Sequence, residues 1–245
     1  MTSLPFEILL EDSAVLVVNK PAGILTQAPL GIDSLEWQIK RYLQSTEKSE
    51  VPYLGVPHRL DRPVSGCICF AKNQKAARKI SQQFEARLVQ KTYWALVSGI
   101  VHPTRSTWVD HLKKLDGEPR TIVVDERDPE GKNAILHYEL LETREGRSLL
   151  AITLETGRTH QIRVQCGSRG FPLLGDRLYG SAEPFGPLAA DERDQLIALH
   201  ARTLAFRHPV TKEDLIFTAQ VPAIWSPFGL ETIATSRPDS GAVAS

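Results

Sequence analysis

Four of the five residues from His58 to Arg62 carry ionisable side chains: His58, Arg59, Asp61 and Arg62. Pro57 and Pro63 bracket them and Gly66 follows. Prolines and a glycine at these positions can hold a loop rigid without help from a helix. Asp61 lies between two arginines, and cations close to a carboxyl favour its charged form. An ionised carboxylate on a rigid loop can serve as nucleophile or general base. A turn pinned by an Asp–Arg ion pair would use the same residues, because structural ion pairs and active sites perturb carboxylates alike. Spacing alone leaves both readings standing.

The charge distribution bears on what such a loop could act upon. The chain has 245 residues, with 29 Lys and Arg against 29 Asp and Glu. Taken alone, that balance argues against a polyanionic partner. The cations are unevenly placed, however. Residues 51–100 hold eight cations against two anions, and residues 151–180 hold four against two. Such asymmetry can present one basic face to a nucleic acid. The helix carrying Lys75, Arg78 and Lys79 would serve equally well as a solvated surface. Hydrophobic residues at 42% exclude a disordered chain. No apolar run reaches the roughly 18 residues of a membrane span, and the segment from Phe6 to Val18 is too acidic for a signal peptide. Three cysteines without a CxxC fit a reducing compartment and no Cys-based zinc site.

The elements that must position the loop can be read from periodicity. Ala14–Val18 is a continuous apolar run, the pattern of a strand covered on both faces, and a short strand precedes it. Asp33 and Glu36 look like a capping box opening a helix with Leu35, Ile39 and Tyr42 on its apolar side. Asn73 caps a second helix, expected over 74–88, with Ala77, Ile80, Phe84 and Leu88 as its stripe. From there the chain reads mainly as strands: 93–98, 107–112, 121–124, 135–142, 149–155, 199–206 and 215–219. A short helix capped by Thr159 is expected to carry His160, Ile162, Arg163 and Val164. Many strands, few helices and no regular βα alternation predict an α+β domain.

Several segments together resemble the RluA-type RNA pseudouridine synthases. They are His58-Arg59-Leu60-Asp61 with Ser65-Gly66, Asn19-Lys20-Pro21-Ala22-Gly23, Lys91-Thr92-Tyr93-Trp94-Ala95-Leu96-Val97-Ser98-Gly99, Gly157-Arg158-Thr159-His160-Gln161-Ile162-Arg163, Gly175-Asp176-Arg177-Leu178-Tyr179-Gly180, and Leu199-His200-Ala201 with His208-Pro209. Their order and spacing agree from about Ile8 to Pro222, where a single four-residue match would say little. The resemblance implies one catalytic domain over 1–234, built on a mixed, mostly antiparallel sheet with flanking helices. The small, polar tail over 235–245 is expected to be disordered, and a first strand within ten residues of Met1 is expected to leave no room for the N-terminal S4 domain that some members carry.

The resemblance also implies roles. Asp61 is the carboxylate that acts on the uridine, Tyr93 the aromatic residue against the target base, and Arg163 the basic partner of the aspartate. Arg59 enters the RNA stack where the base leaves. His58, Arg62, Thr159, His160 and Gln161 ride on the same two segments as substrate-binding residues, His58 and His160 also serving as scaffold. Lys75, Arg78 and Lys79 are expected on the RNA backbone. The reaction cleaves and re-forms a glycosidic bond without redox or hydrolysis, so it needs no cofactor and no metal. The expected partner is ribosomal or transfer RNA, and the expected protein is a cytoplasmic monomer. Val64 stands where the family often has Thr, which removes a hydroxyl. Two other readings remain: an RNA-binding paralogue without catalysis, and a glycosidase, which needs a second carboxylate about 5–10 Å from Asp61.

Overall fold

The computed structural model describes residues 4–47 and 52–228; the tail expected over 235–245 lies outside them. Ten strands form one sheet: β1 (Glu7–Glu11), β2 (Val15–Lys20), β3 (Ser65–Ala71), β4 (Gln90–Ser98), β5 (Arg105–Lys114), β6 (Thr121–Val124), β7 (Lys132–Arg144), β8 (Arg147–Leu154), β9 (Leu199–Arg207) and β10 (Asp214–Thr218). Their order is β1-β2-β3-β9-β4-β8-β7-β5-β6, with β10 also on β9. Every pairing is antiparallel except β3 with β9. The sheet is therefore mixed and mostly antiparallel, as expected. Among the described residues three α-helices accompany it: α1 (Leu35–Glu47), α2 (Gln74–Glu85) and α3 (Gln161–Gly167). Among the described residues no helix is long and apolar enough to cross a membrane.

The unbroken apolar run of β2 has a simple cause: both of its faces are covered. Leu16 and Val18 join Leu35, Ile39 and Leu43 of α1 in one core. Val15 and Val17 join Ala76 and Ile80 of α2 in another. Cys67 and Cys69 of β3 share that second face as small buried residues.

The helix ends differ from the sequence reading in three places. Ser34, not Asp33, caps α1, its hydroxyl accepting the Trp37 N–H at 3.3 Å. Asp33 instead accepts from the Gln38 and Arg41 side chains at 2.7 and 2.9 Å. The α2 cap is as read, Asn73 Oδ1 accepting the Ala76 N–H at 2.9 Å. That helix stops at Glu85, however, and Arg87 is left-handed (φ 57°), so Leu88 is exposed rather than in the stripe. At α3 the residue before the helix is His160, not Thr159, and it makes no side-chain cap.

One glycine fixes the relation between the 57–64 loop and the sheet. β3 pairs with β9 only through Ser65 with His200 and Gly66 with Ala201. A Cβ at Gly66 would collide with the backbone of Ala201, and its φ of +117° suits glycine alone. The loop ending here is thereby held against β9, which also pairs with β4 and β10.

Candidate active site

Asp61 sits on a loop clamped from below. Thr26 Oγ1 donates to the Leu60 carbonyl at 2.8 Å and accepts the Leu60 N–H at 3.1 Å. Lys20 is fully buried and spends its ammonium donors on the carbonyls of Pro21, Arg62 and Val64, at 3.1, 3.2 and 2.7 Å. Burial pushes its pKa down, to about 7, against the pull of Asp61. Gly23 closes the clamp: its N–H donates to the Arg62 carbonyl at 2.9 Å, and its carbonyl accepts from Arg62 Nε at 3.1 Å. The Asn19–Gly23 segment is thus the seat of the Asp61 loop.

The loop forms one wall of a cleft of about 1600 Å³. Arg59, Tyr93, Arg163 and His160 line it with Asp61. Tyr93 comes from the middle of β4, just after a bulge against β9. Its ring belongs to the main core. Burial first, and the Asp61 charge second, raise its pKa above the usual range, so the phenol stays protonated.

Arg163 comes from α3. Its guanidinium forms a two-pronged pair with Asp176, Nε to Oδ2 at 2.7 Å and Nη2 to Oδ1 at 2.8 Å. Asp61 is farther off, its Oδ2 lying 3.6 Å from Arg163 Nη1 and 3.7 Å from His160 Nε2. Burial opposes the charge on Arg163, but Asp176 and then Asp61 outweigh it and raise its pKa. The Asp61 carboxylate makes no hydrogen bond to any described residue. It is held by charge and left open to the cleft.

The other expected site residues divide. Arg59 is exposed on the cleft, with no ion pair to a described residue. Thr159 is exposed on the same cleft. Arg62 lines the cleft, but its guanidinium is tied to Gly23 and to Asp194, so the cations that flank Asp61 in sequence are not its close partners in space. His58 accepts the Cys69 N–H at 3.1 Å and stacks on Phe84 at 4.5 Å. Burial, then Lys91, push its pKa down to about 3, and it is a neutral scaffold. Gln161 is buried: Oε1 accepts from Thr156 Oγ1 and the Arg158 N–H, and Nε2 donates to the Ile135 carbonyl. Its polar atoms shape the turn before α3 and are not free for substrate. Lys75, Arg78 and Lys79 do not line the cleft; α2 reaches it only through its C-terminal end at Phe84 and Glu85. Lys79 donates to the Pro209 carbonyl at 2.7 Å.

A scan against protein families matches residues 14–168 to the RNA pseudouridylate synthase family. The ribosomal large subunit pseudouridine synthase D of Zymomonas mobilis is 34% identical over 226 residues, covering 89% of this chain and 70% of that one. Two human structures share the fold. RNA pseudouridylate synthase domain containing 4 superposes with a TM-score of 0.73 at 23% identity, covering 90% of each chain. Domain containing 1 superposes with 0.69 at 26%, covering 91% of this chain and 86% of the other. The chain belongs to the RNA pseudouridylate synthase family. Its activity is that of a pseudouridine synthase on RNA.

Two features of this synthase site carry no role in the sequence reading. Asp176 lies within the quoted Gly175–Gly180 segment without an assigned function. Gly175 carries the signal: its φ is +82°, and a Cβ there would strike the Leu196 carbonyl, so the chain must turn sharply just before the aspartate. Asp176 shares Arg163 with Asp61 and so is a candidate for the second carboxylate that a glycosidase needs. It is buried, with both oxygens occupied by Arg163, which leaves it closed to a sugar. Lys20 gives no signal, since a lysine ending a strand ordinarily reaches solvent. Val64 is buried in the core, where its methyl groups pack.

Proposed function

We propose that this chain converts a uridine of structured ribosomal RNA to pseudouridine by drawing the nucleotide out of its stack into the cleft, where Asp61 acts on it. The choice of ribosomal RNA rests on the printed names of relatives such as the Zymomonas mobilis protein. The single observation that carries the mechanism is the convergence of Asp61, Tyr93 and Arg163 on one cleft from three separate elements.

A stacked uridine hides its glycosidic bond, and extruding it costs a few kcal/mol. Arg59, exposed at the cleft with no ion pair to a described residue, is placed to fill the vacated stack with its planar guanidinium. Within the cleft the uridine loses its N1–C1′ bond, the freed uracil turns, and C5 bonds to C1′. The proton leaves C5 and N1 gains one, so the change is an isomerisation with no other product. Asp61 supplies the negative charge for this sequence. Arg163, locked by Asp176, holds that charge in place without a contact short enough to quench it. Tyr93 offers a ring for the base to lie on and a protonated hydroxyl. The lining carries eight Lys and Arg against four Asp and Glu, which attracts the RNA backbone despite a neutral chain. A monomer in the cytoplasm is part of the same proposal.

The test uses ribosomal RNA transcripts tritiated at C5 of uridine. The chain should release tritium as C5 bonds to C1′, and carbodiimide mapping should show one new pseudouridine. Asp61→Asn should abolish both. Full activity in Asp61→Asn would refute the mechanism, and activity confined to transfer RNA would refute the substrate.

A further inference from the structure

His160 occupies an unusual position for a histidine. It precedes α3, where residues that bond the helix N–H groups are favoured, and it provides no such bond. Its backbone is left-handed, with φ 55°. A residue other than glycine in that region is strained. The ring that this backbone carries is aimed at the cleft, and both of its nitrogens have named neighbours. Nδ1 lies 2.8 Å from the Tyr179 hydroxyl. Nε2 lies 3.7 Å from Asp61 Oδ2.

The Tyr179 hydroxyl favours a ring proton on Nε2. It already accepts the Thr121 N–H at 3.0 Å. Its proton can go to His160 Nδ1 at 2.8 Å, the Thr121 side chain being the other polar neighbour of the hydroxyl. Satisfying that proton makes Nδ1 an acceptor and leaves the ring hydrogen on Nε2. The tyrosine ring stands edge-on to the imidazole at 5.7 Å, which resists rotation of either. We propose that His160 is a positioning residue for the isomerisation: Tyr179 fixes it in the Nε2–H tautomer, and that N–H steadies the Asp61 carboxylate beside Arg163. The proposal rests on the reading of Asp61 as the reacting carboxylate.

A neutral donor suits the task. Arg163 already supplies one positive charge to Asp61, and a second would draw the carboxylate into a tight ion pair and lower its reactivity. The charged and titratable groups around His160 are Asp61, Arg163, Asp176 and Lys114, with Tyr179 behind it. Burial dominates among them and holds the His160 pKa below its ordinary value. The relay also ties the carboxylate to the sheet's far edge, since Thr121 begins β6 and Lys114 ends β5.

The experiment measures tritium release and RNA binding by the full chain. His160→Ala should lower kcat by about 10- to 100-fold with KM changed less than threefold. His160→Gln, whose amide nitrogen can reach the Nε2 position, should recover most of that loss. Tyr179→Phe should lower kcat and move the acid limb of the kcat–pH profile, because the imidazole is then free to change tautomer and pair with Asp61. Unchanged kcat in His160→Ala would overturn the proposal. So would losses in His160→Ala and His160→Gln that match each other and track a fall in melting temperature, since that is the mark of a structural role. Asp61→Asn, run alongside, separates the two claims. A dead Asp61→Asn with fully active His160→Ala removes the His160 role alone, whereas an active Asp61→Asn removes both.

Discussion

Arg163 gives its two shortest hydrogen bonds to Asp176, at 2.7 and 2.8 Å, and stands 3.6 Å from Asp61. The arginine is thus positioned by one carboxylate and presented to another. Asp176→Asn should break this arrangement. The variant leaves a buried guanidinium short of a partner, which costs about 3–5 kcal/mol when a buried pair is broken. Arg163 can recover part of it only by closing on Asp61. Thermal unfolding should show the destabilisation, and tritium release should fall about a hundredfold. A stable variant with full activity would show that Asp176 does not orient Arg163.

Gly66 offers a test of how the Asp61 loop is seated. Its φ of +117° and its approach to the Ala201 backbone leave no room for a Cβ. Gly66→Ala must separate β3 from β9 at their single parallel junction, next to the loop. A loss of about 3 kcal/mol is expected, which is about 6–12 °C in melting temperature for a chain of this length. A variant melting within 2 °C of the parent, measured by circular dichroism, would contradict the account.

What could be read in the sequence was local or sharply patterned. The apolar run at Ala14–Val18 announced a strand covered on both faces, and the Asn73 cap was visible because capping is decided within one turn. Asp61, Tyr93 and Arg163 were singled out by their segments and do line one cleft. Partner choice was not legible. Asp33 and Ser34 are both good caps, and only the distant pull of Gln38 and Arg41 on Asp33 leaves the task to Ser34. Arg163 could have met Asp61 or Asp176, and the turn at Gly175 decided it. Gln161 was expected at the substrate because it sits beside active residues. Burial turned its amide inward to hold the chain before α3.

The buried histidines set an acid limit on stability. His200 Nε2 donates to the Ala219 carbonyl, and Nδ1 lies 2.8 Å from Ser65 Oγ, contacts that the neutral ring satisfies with its proton on Nε2. Burial pushes its pKa down to about 4. The unfolded chain takes up this proton near pH 6.5 and the folded chain does not, so stability is full above pH 6.5 and is lost as the pH falls toward 4. The loss from His200 should reach about 3 kcal/mol, and His58, held at about 3, adds to it in the same direction. Urea midpoints at pH 7, 5.5 and 4.5 should decline accordingly. His200→Asn should be less stable at pH 7 but show a shallower decline. Parallel slopes for the two proteins would sink this assignment.

The hydroxyl of Tyr93 separates chemistry from packing. The ring lies in the main core, while the hydroxyl makes no hydrogen bond to any described residue and the side chain faces the cleft. Tyr93→Phe therefore removes nothing the fold uses, and leaving no donor or acceptor stranded it should not lower the melting temperature. If the phenol handles a proton during isomerisation, kcat should fall about 100-fold or more. RNA affinity should stay within about twofold, since the ring still supplies the stacking face. Filter binding and tritium release on the same transcript compare the two. Loss of affinity in step with kcat would assign Tyr93 to RNA binding, and retention of both would leave the ring as its only contribution.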